Sequence, residues 1–182
     1  MPTPKANRQG KRVRPNHLYA LVSIGELKGK RDFRYLGDNR WLYVPDAENP
    51  LTFVRHNGET VVLDERFIFD GGSIPGVVVF LANLVRSGGW RILSRVFRYL
   101  TKDYYMPAYA FHDFGYIRQE RGDPVHNFEE NNLILAEIIK TMQQAEKDGG
   151  AEVLQAIYYA VGNPIQRERW DSLAPHIQRP NL

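Results

Sequence analysis

The chain has 182 residues, 43% hydrophobic and 25% charged, with a formal net charge of +3. That size supports one domain with a real core, and the composition is that of an ordinary globular protein. It contains no cysteine, which excludes a disulfide framework and a thiolate zinc site.

Charge is unevenly distributed. Residues 1–40 hold ten Lys and Arg against three acids, a net of +7 that leaves −4 for residues 41–182. The first sixteen residues form a basic arm with Lys5, Arg8, Lys11, Arg12 and Arg14 and no acid. Such an arm suits nucleic acid phosphates or an acidic protein neighbour, or it stays a solvated tail. The N-terminus continues polar, without the apolar core and cleavage site of a signal peptide. The longest apolar run, 77–85, contains Asn83 and falls short of the roughly 20 residues a membrane span requires.

A domain is expected over 17–174, followed by a short tail at 175–182. Its first apolar run, 18–24, reads as a strand. Residues 28–38 are polar and glycine-punctuated, a loop with room for one edge strand. Trp41-Leu-Tyr-Val44 is a further strand, ended by Pro45. Residues 51–56 and 59–63 flank Asn57-Gly58, a hairpin with an expected two-residue type I′ turn. Residues 66–69 extend the same small antiparallel sheet.

At Asp70-Gly-Gly-Ser-Ile-Pro75 the pattern changes from strand to helix. Ser73 is an N-cap candidate and Pro75 suits the first helical turn. A buried helix follows over 77–85. A second covers 90–100, with Arg91, Arg95 and Arg98 on its polar side, which reads as a solvated face or a surface for an acidic partner. Pro107 opens the helix that carries His112, which fades near Arg121-Gly-Asp-Pro124. Asn127, with Glu130 in the capping-box position, starts a long helix whose apolar stripe is Phe128, Leu135, Ile138, Ile139 and Met142. A further helix buries Leu154, Ile157, Tyr158 and Val161 and stops at Gly162, and a short one surrounds Trp170. The fold class is α+β, a small N-terminal antiparallel sheet followed by a helical subdomain of about four to five helices.

The stretch richest in chemistry is Ala108-Tyr-Ala-Phe-His-Asp-Phe-Gly-Tyr-Ile117. His112 and Tyr116 are one helical turn apart, and Asp113 lies three before Tyr116. Asn131 and Asn132 interrupt the stripe of the next helix, and buried amides need partners. Antiparallel packing of the two helices would supply them in His112 and Asp113. Asp70 ends the preceding strand, and Gly71 and Gly72 let backbone approach an ion closely. The candidate site is Asp70, Gly71, Gly72 and Asp113 for a cation, with His112, Tyr116 and Asn132 for catalysis. A neutral imidazole can activate water, and the carboxylates suit Ca²⁺ or Mg²⁺, with Zn²⁺ conceivable. The plain alternatives are a core His112 bonded to Asn132, an Asp70 that caps its turn, and a Tyr116 that is core. His126 and Glu129 read as exposed, and Ser73 is explained by its N-cap position. No phosphate-binding loop or dinucleotide fingerprint occurs.

At these residues the chain resembles a domain family of unknown function common in tailed bacteriophages and prophages. Its signature runs Gly-Phe-x-Thr-Asp-x-Ala-Ser-Ile-Pro, His-Asp-x-Leu-Tyr, Ala-Asp-x-x-Phe, then a Tyr and a terminal Gly…Trp. Arg66-Phe-Ile-Phe-Asp-Gly-Gly-Ser-Ile-Pro75 is similar to the first element, at Phe67, Asp70, Ser73, Ile74 and Pro75. His112-Asp-Phe-Gly-Tyr116 is similar to the second, Asn131 to Leu135 to the third, and Tyr159, Gly162 and Trp170 to the last. The resemblance covers about 41–171. It departs at Asn132, where the family has aspartate, in a longer 75–112 region, and in the basic arm. It implies a virion-associated structural protein of the tail or head-to-tail region, in the virion or host cytoplasm, contacting other virion proteins.

The His-Asp-x-x-Tyr motif is also similar to that of secreted calcium-dependent phospholipases. That likeness implies His112 as base, Asp113 as metal ligand and Asn132 as the group that orients the histidine. It makes a metal-assisted hydrolase of lipid or cell-wall esters or amides the alternative, with Asn132 weakening the site. The missing cysteines separate the chain from that disulfide-rich family. A nucleic-acid-binding accessory role rests on the arm alone.

Overall fold

The computed structural model describes residues 17–38, 40–70, 105–146 and 150–173. The basic arm, Gly71, Gly72, Ser73, the expected helices over 77–85 and 90–100, and the tail lie outside the described residues.

The chain is α+β. Helix α1 (His17–Leu21) precedes six strands: β1 (Glu26–Lys28), β2 (Phe33–Gly37), β3 (Arg40–Tyr43), β4 (Thr52–Val54), β5 (Thr60–Val62) and β6 (Phe67–Phe69). Four helices follow: α2 (Met106–Arg121), α3 (Phe128–Glu146), α4 (Ala151–Val161) and α5 (Pro164–Leu173).

The strands form two antiparallel sheets, ordered β1-β4-β5 and β2-β3-β6, rather than the single sheet expected. The 66–69 segment leaves the hairpin and pairs with β3, Trp41 opposite Phe69 and Tyr43 opposite Phe67. The buried face of this join is aromatic, so Phe67 packs against Tyr43 and Phe69 against Phe33, ring contacts that a place beside β5 would not give. The Tyr43 hydroxyl ties the sheets together: it accepts from the Leu51 N–H at 3.0 Å and donates to the Leu63 carbonyl at 3.1 Å.

Two local expectations are corrected. Residues 17–21 are helical, not extended. A short apolar run fits either period, and Lys140 decides it: its ammonium donates to the Tyr19 and Val22 carbonyls at 2.7 and 2.6 Å, satisfying the end of the helix. In the β4–β5 hairpin, Gly58 alone takes positive φ, +85°. The Gly58 N–H donates to the Arg55 carbonyl and the Arg55 N–H to Glu59, so the connection is a turn closed by a left-handed glycine, not a type I′ pair. The Asn57 side chain, by accepting from the Glu59 N–H at 3.0 Å, holds its own backbone in that form.

Helix α2 has Pro107 in its first turn and ends on Gly122 with φ +79°. Helix α3 starts as expected, the Glu130 N–H donating to the Asn127 side chain at 2.8 Å. Tyr105 meets Gln143, His112 meets Asn132, and Tyr116 shares a cluster with Phe128, so α2 and α3 run antiparallel. The main core lies between this pair, α4 and the two sheets. Phe67 stacks on Phe114 with centroids 5.1 Å apart, which seats the β2-β3-β6 sheet on α2. A satellite cluster of Tyr116, Phe128 and Trp170 fixes α5 beside the end of α2.

Candidate functional site

On α2, Tyr109, His112, Asp113 and Tyr116 follow one another at helical spacing, so one side of a largely buried helix carries four polar groups. They line a cleft of about 400 Å³ together with Asp70 from the end of β6 and Arg169 from α5. Glu120 and Arg40 lie along the same cleft, which therefore carries charges of both signs.

His112 is buried and held on both sides. Its Nε2 stands 3.0 Å from Asn132 Oδ1, and its Nδ1 stands 3.3 Å from Asp113 Oδ1. With the Asn132 amide assigned this way round, Oδ1 can only accept, so Nε2 carries the proton. In the neutral ring Nδ1 then keeps its lone pair beside a carboxylate, where only a proton or a donor such as water brings them together. Asn131 works on the backbone: its Nδ2 donates to the His112 carbonyl at 3.0 Å. The two asparagines that break the α3 stripe thus both meet His112, one at its ring and one at its carbonyl.

Tyr116 supports the site without offering a free hydroxyl. Its oxygen donates to the Gln166 carbonyl at 3.3 Å, and its ring lies 5.1 Å from the His112 ring and 4.9 Å from Trp170. Burial pushes its phenol up to about 12, the nearby Arg169 opposing the shift. The Arg169 guanidinium lies over the Tyr116 ring, 5.6 Å from its centroid.

Of the cation residues expected from sequence, Asp70 and Asp113 line the same cleft, while Gly71 and Gly72 lie outside the described residues. Among the described residues no group of three or more His, Asp or Glu could hold a metal ion. Asp70 and Asp113 alone therefore do not make up the three protein ligands of a Zn²⁺ site or the oxygen cage of a Ca²⁺ site, whereas Mg²⁺ is commonly held by one or two carboxylates and waters. His126 and Glu129 take separate partners: His126 Nδ1 is 3.5 Å from Glu59, and Glu129 pairs with Arg167.

Sequence reasoning passed over Tyr109 and Arg169. Tyr109 sits in an apolar run where an aromatic reads as core, and Arg169 is one of several charges on an amphipathic helix. Only the helical spacing of Tyr109 from Asp113, one turn, carried a signal.

No helix among the described residues is long and apolar enough to cross a membrane. In comparison with known proteins, the chain matches no family model, no curated protein and no solved structure.

Proposed function

We propose that the chain is a hydrolase-like domain in which His112 is the general base toward a water in the cleft, acting on an ester or amide. The observation that carries this reading is the His112–Asn132 bond, Nε2 to Oδ1 at 3.0 Å. It holds the ring in place, and with Asn132 Oδ1 accepting from Nε2 it leaves Nδ1 to take a proton. Asp113, 3.3 Å from Nδ1, is the counter-charge for the imidazolium that forms. Asn132 orients the ring but adds no charge, so turnover is slow beside a site with a carboxylate in that place.

The test is hydrolysis of p-nitrophenyl esters of graded acyl length by the wild type and His112→Ala. Loss of about 10²- to 10⁴-fold in the variant is the expected result, the usual contribution of a positioned general base. Equal rates in both proteins would remove His112 from the chemistry.

The motif resemblance favours a setting for this domain: a virion-associated protein of a tailed phage, near the tail or the head-to-tail region. The first sixteen residues, with five Lys and Arg and no acid, give it a basic arm for an acidic neighbour or packaged DNA. Deleting residues 1–16 should abolish salt-sensitive DNA binding if DNA is that partner. Unchanged binding would leave an acidic protein as the arm's target.

A further inference from the structure

Tyr109 lies three residues before His112 and one turn before Asp113 on α2, which puts all three on the same side of the helix. Its side chain lines the cleft, although only 3% of the residue is exposed. Its phenolic oxygen is buried and has no hydrogen-bond partner among the described residues. The neighbouring buried tyrosines differ: the oxygen of Tyr105, just before α2, accepts from Gln143 Nε2 at 2.9 Å, and Tyr116 donates to Gln166. A buried hydroxyl with no partner has lost its hydrogen bonds to water and gained nothing in exchange. Burial, with Tyr105 and Asp113 nearby, also holds the Tyr109 phenol well above its ordinary range, so it remains an O–H donor.

We infer that Tyr109 is the hydrogen-bond donor to the carbonyl oxygen of an ester or amide bound in this cleft, an inference that rests on His112 being the base. The water oxygen adds to the carbonyl carbon while its proton passes to His112 Nδ1. The carbonyl π pair moves to the oxygen, and that oxyanion takes the Tyr109 hydrogen bond. When the intermediate collapses, the bond to the leaving oxygen or nitrogen breaks, and the leaving group receives the proton from His112. One water is consumed, and a carboxylic acid and an alcohol or amine are released. Because the donor is placed before the charge develops, its effect falls on the chemical step.

Tyr109→Phe tests this with p-nitrophenyl acetate, butyrate and octanoate, beside His112→Ala. The expected result is a fall in kcat of about 10²- to 10³-fold with KM little changed, as for loss of one oxyanion donor. The melting temperature should stay level or rise, since the hydroxyl removed leaves no partner behind among the described residues. A clear fall in melting temperature would overturn the inference by showing that the hydroxyl serves the fold. Wild-type kcat in Tyr109→Phe alongside an inactive His112→Ala would overturn it while leaving the base in place. No hydrolysis by the wild type, or equal hydrolysis by His112→Ala, would overturn the reading of His112 and the inference with it.

Discussion

Gly115 of α2 lies directly against the side chain of Asn131 on α3: a Cβ at Gly115 would stand 2.1 Å from Asn131 Oδ1. That approach lets Asn131 reach the His112 carbonyl and lets Asn132, next in sequence, reach the His112 ring. Gly115→Ala is therefore expected to force the helices apart or displace Asn131. The cost should be about 1–3 kcal/mol, the usual range for overpacking a close contact. Denaturant melts measure it, and a variant as stable as wild type would show that the contact relaxes freely.

The charge around His112 gives opposite predictions for its two neighbours. Asn132→Asp places a carboxylate at Nε2 and should raise the esterase rate, by at most about 10⁴, the loss seen when the orienting Asp of a serine-protease triad becomes Asn. Asp113→Asn removes the counter-charge at Nδ1 and should lower the rate. Steady-state kinetics on the same p-nitrophenyl esters compare them. A slower Asn132→Asp would contradict the orienting role.

Arg55 is the electrostatic centre of the join between the β4–β5 hairpin and α3. Its Nε and Nη2 donate to the two Glu137 oxygens at 2.8 and 3.2 Å, and its Nη1 donates to Glu59 and Glu130, both at 2.6 Å. Arg55 and Glu137 are buried, so Arg55→Met leaves the Glu137 carboxylate without its partner. A loss of about 3–5 kcal/mol is expected. Arg55→Met combined with Glu137→Leu should recover much of it, and a double-mutant cycle by urea unfolding reads the coupling.

Tyr116 predicts alkaline behaviour. Its phenol is pushed up by burial to about 12 from an ordinary 10.0. Below the ordinary value both folded and unfolded states hold the proton, and the stabilisation is fully present. Between the two values the unfolded chain releases it first, so stability falls with rising pH at roughly 1.4 kcal/mol per pH unit. Urea unfolding across that window should show a shallower decline for Tyr116→Phe than for wild type. Parallel declines would place the Tyr116 phenol in water.

The sequence made the α2–α3 site legible because polarity stood out against periodicity. Two asparagines on an apolar stripe demanded partners, and His112 was the near one. The β4–β5 hairpin was legible through Asn57-Gly58, yet its turn was not: Asn57 bonds the Glu59 N–H instead of taking positive φ. Residues 18–24 carried no feature that separates strand from helix, because Lys140, which settles it, lies over a hundred residues away. A separation of 82 residues likewise hid the Arg55–Glu137 pair. Tyr109 was hidden differently, since nothing in a sequence shows whether a buried hydroxyl finds a partner.

Two-bond ¹H–¹⁵N correlation of the ¹⁵N-labelled imidazole reads whether His112 presents an unprotonated Nδ1 to the cleft. The neutral His112 ring should carry its proton on Nε2, with Nδ1 showing the shift of an unprotonated nitrogen. Asn132→Ala should release that preference. A neutral ring protonated on Nδ1 would remove His112 as the base, because it would then have no lone pair facing Asp113 and the cleft.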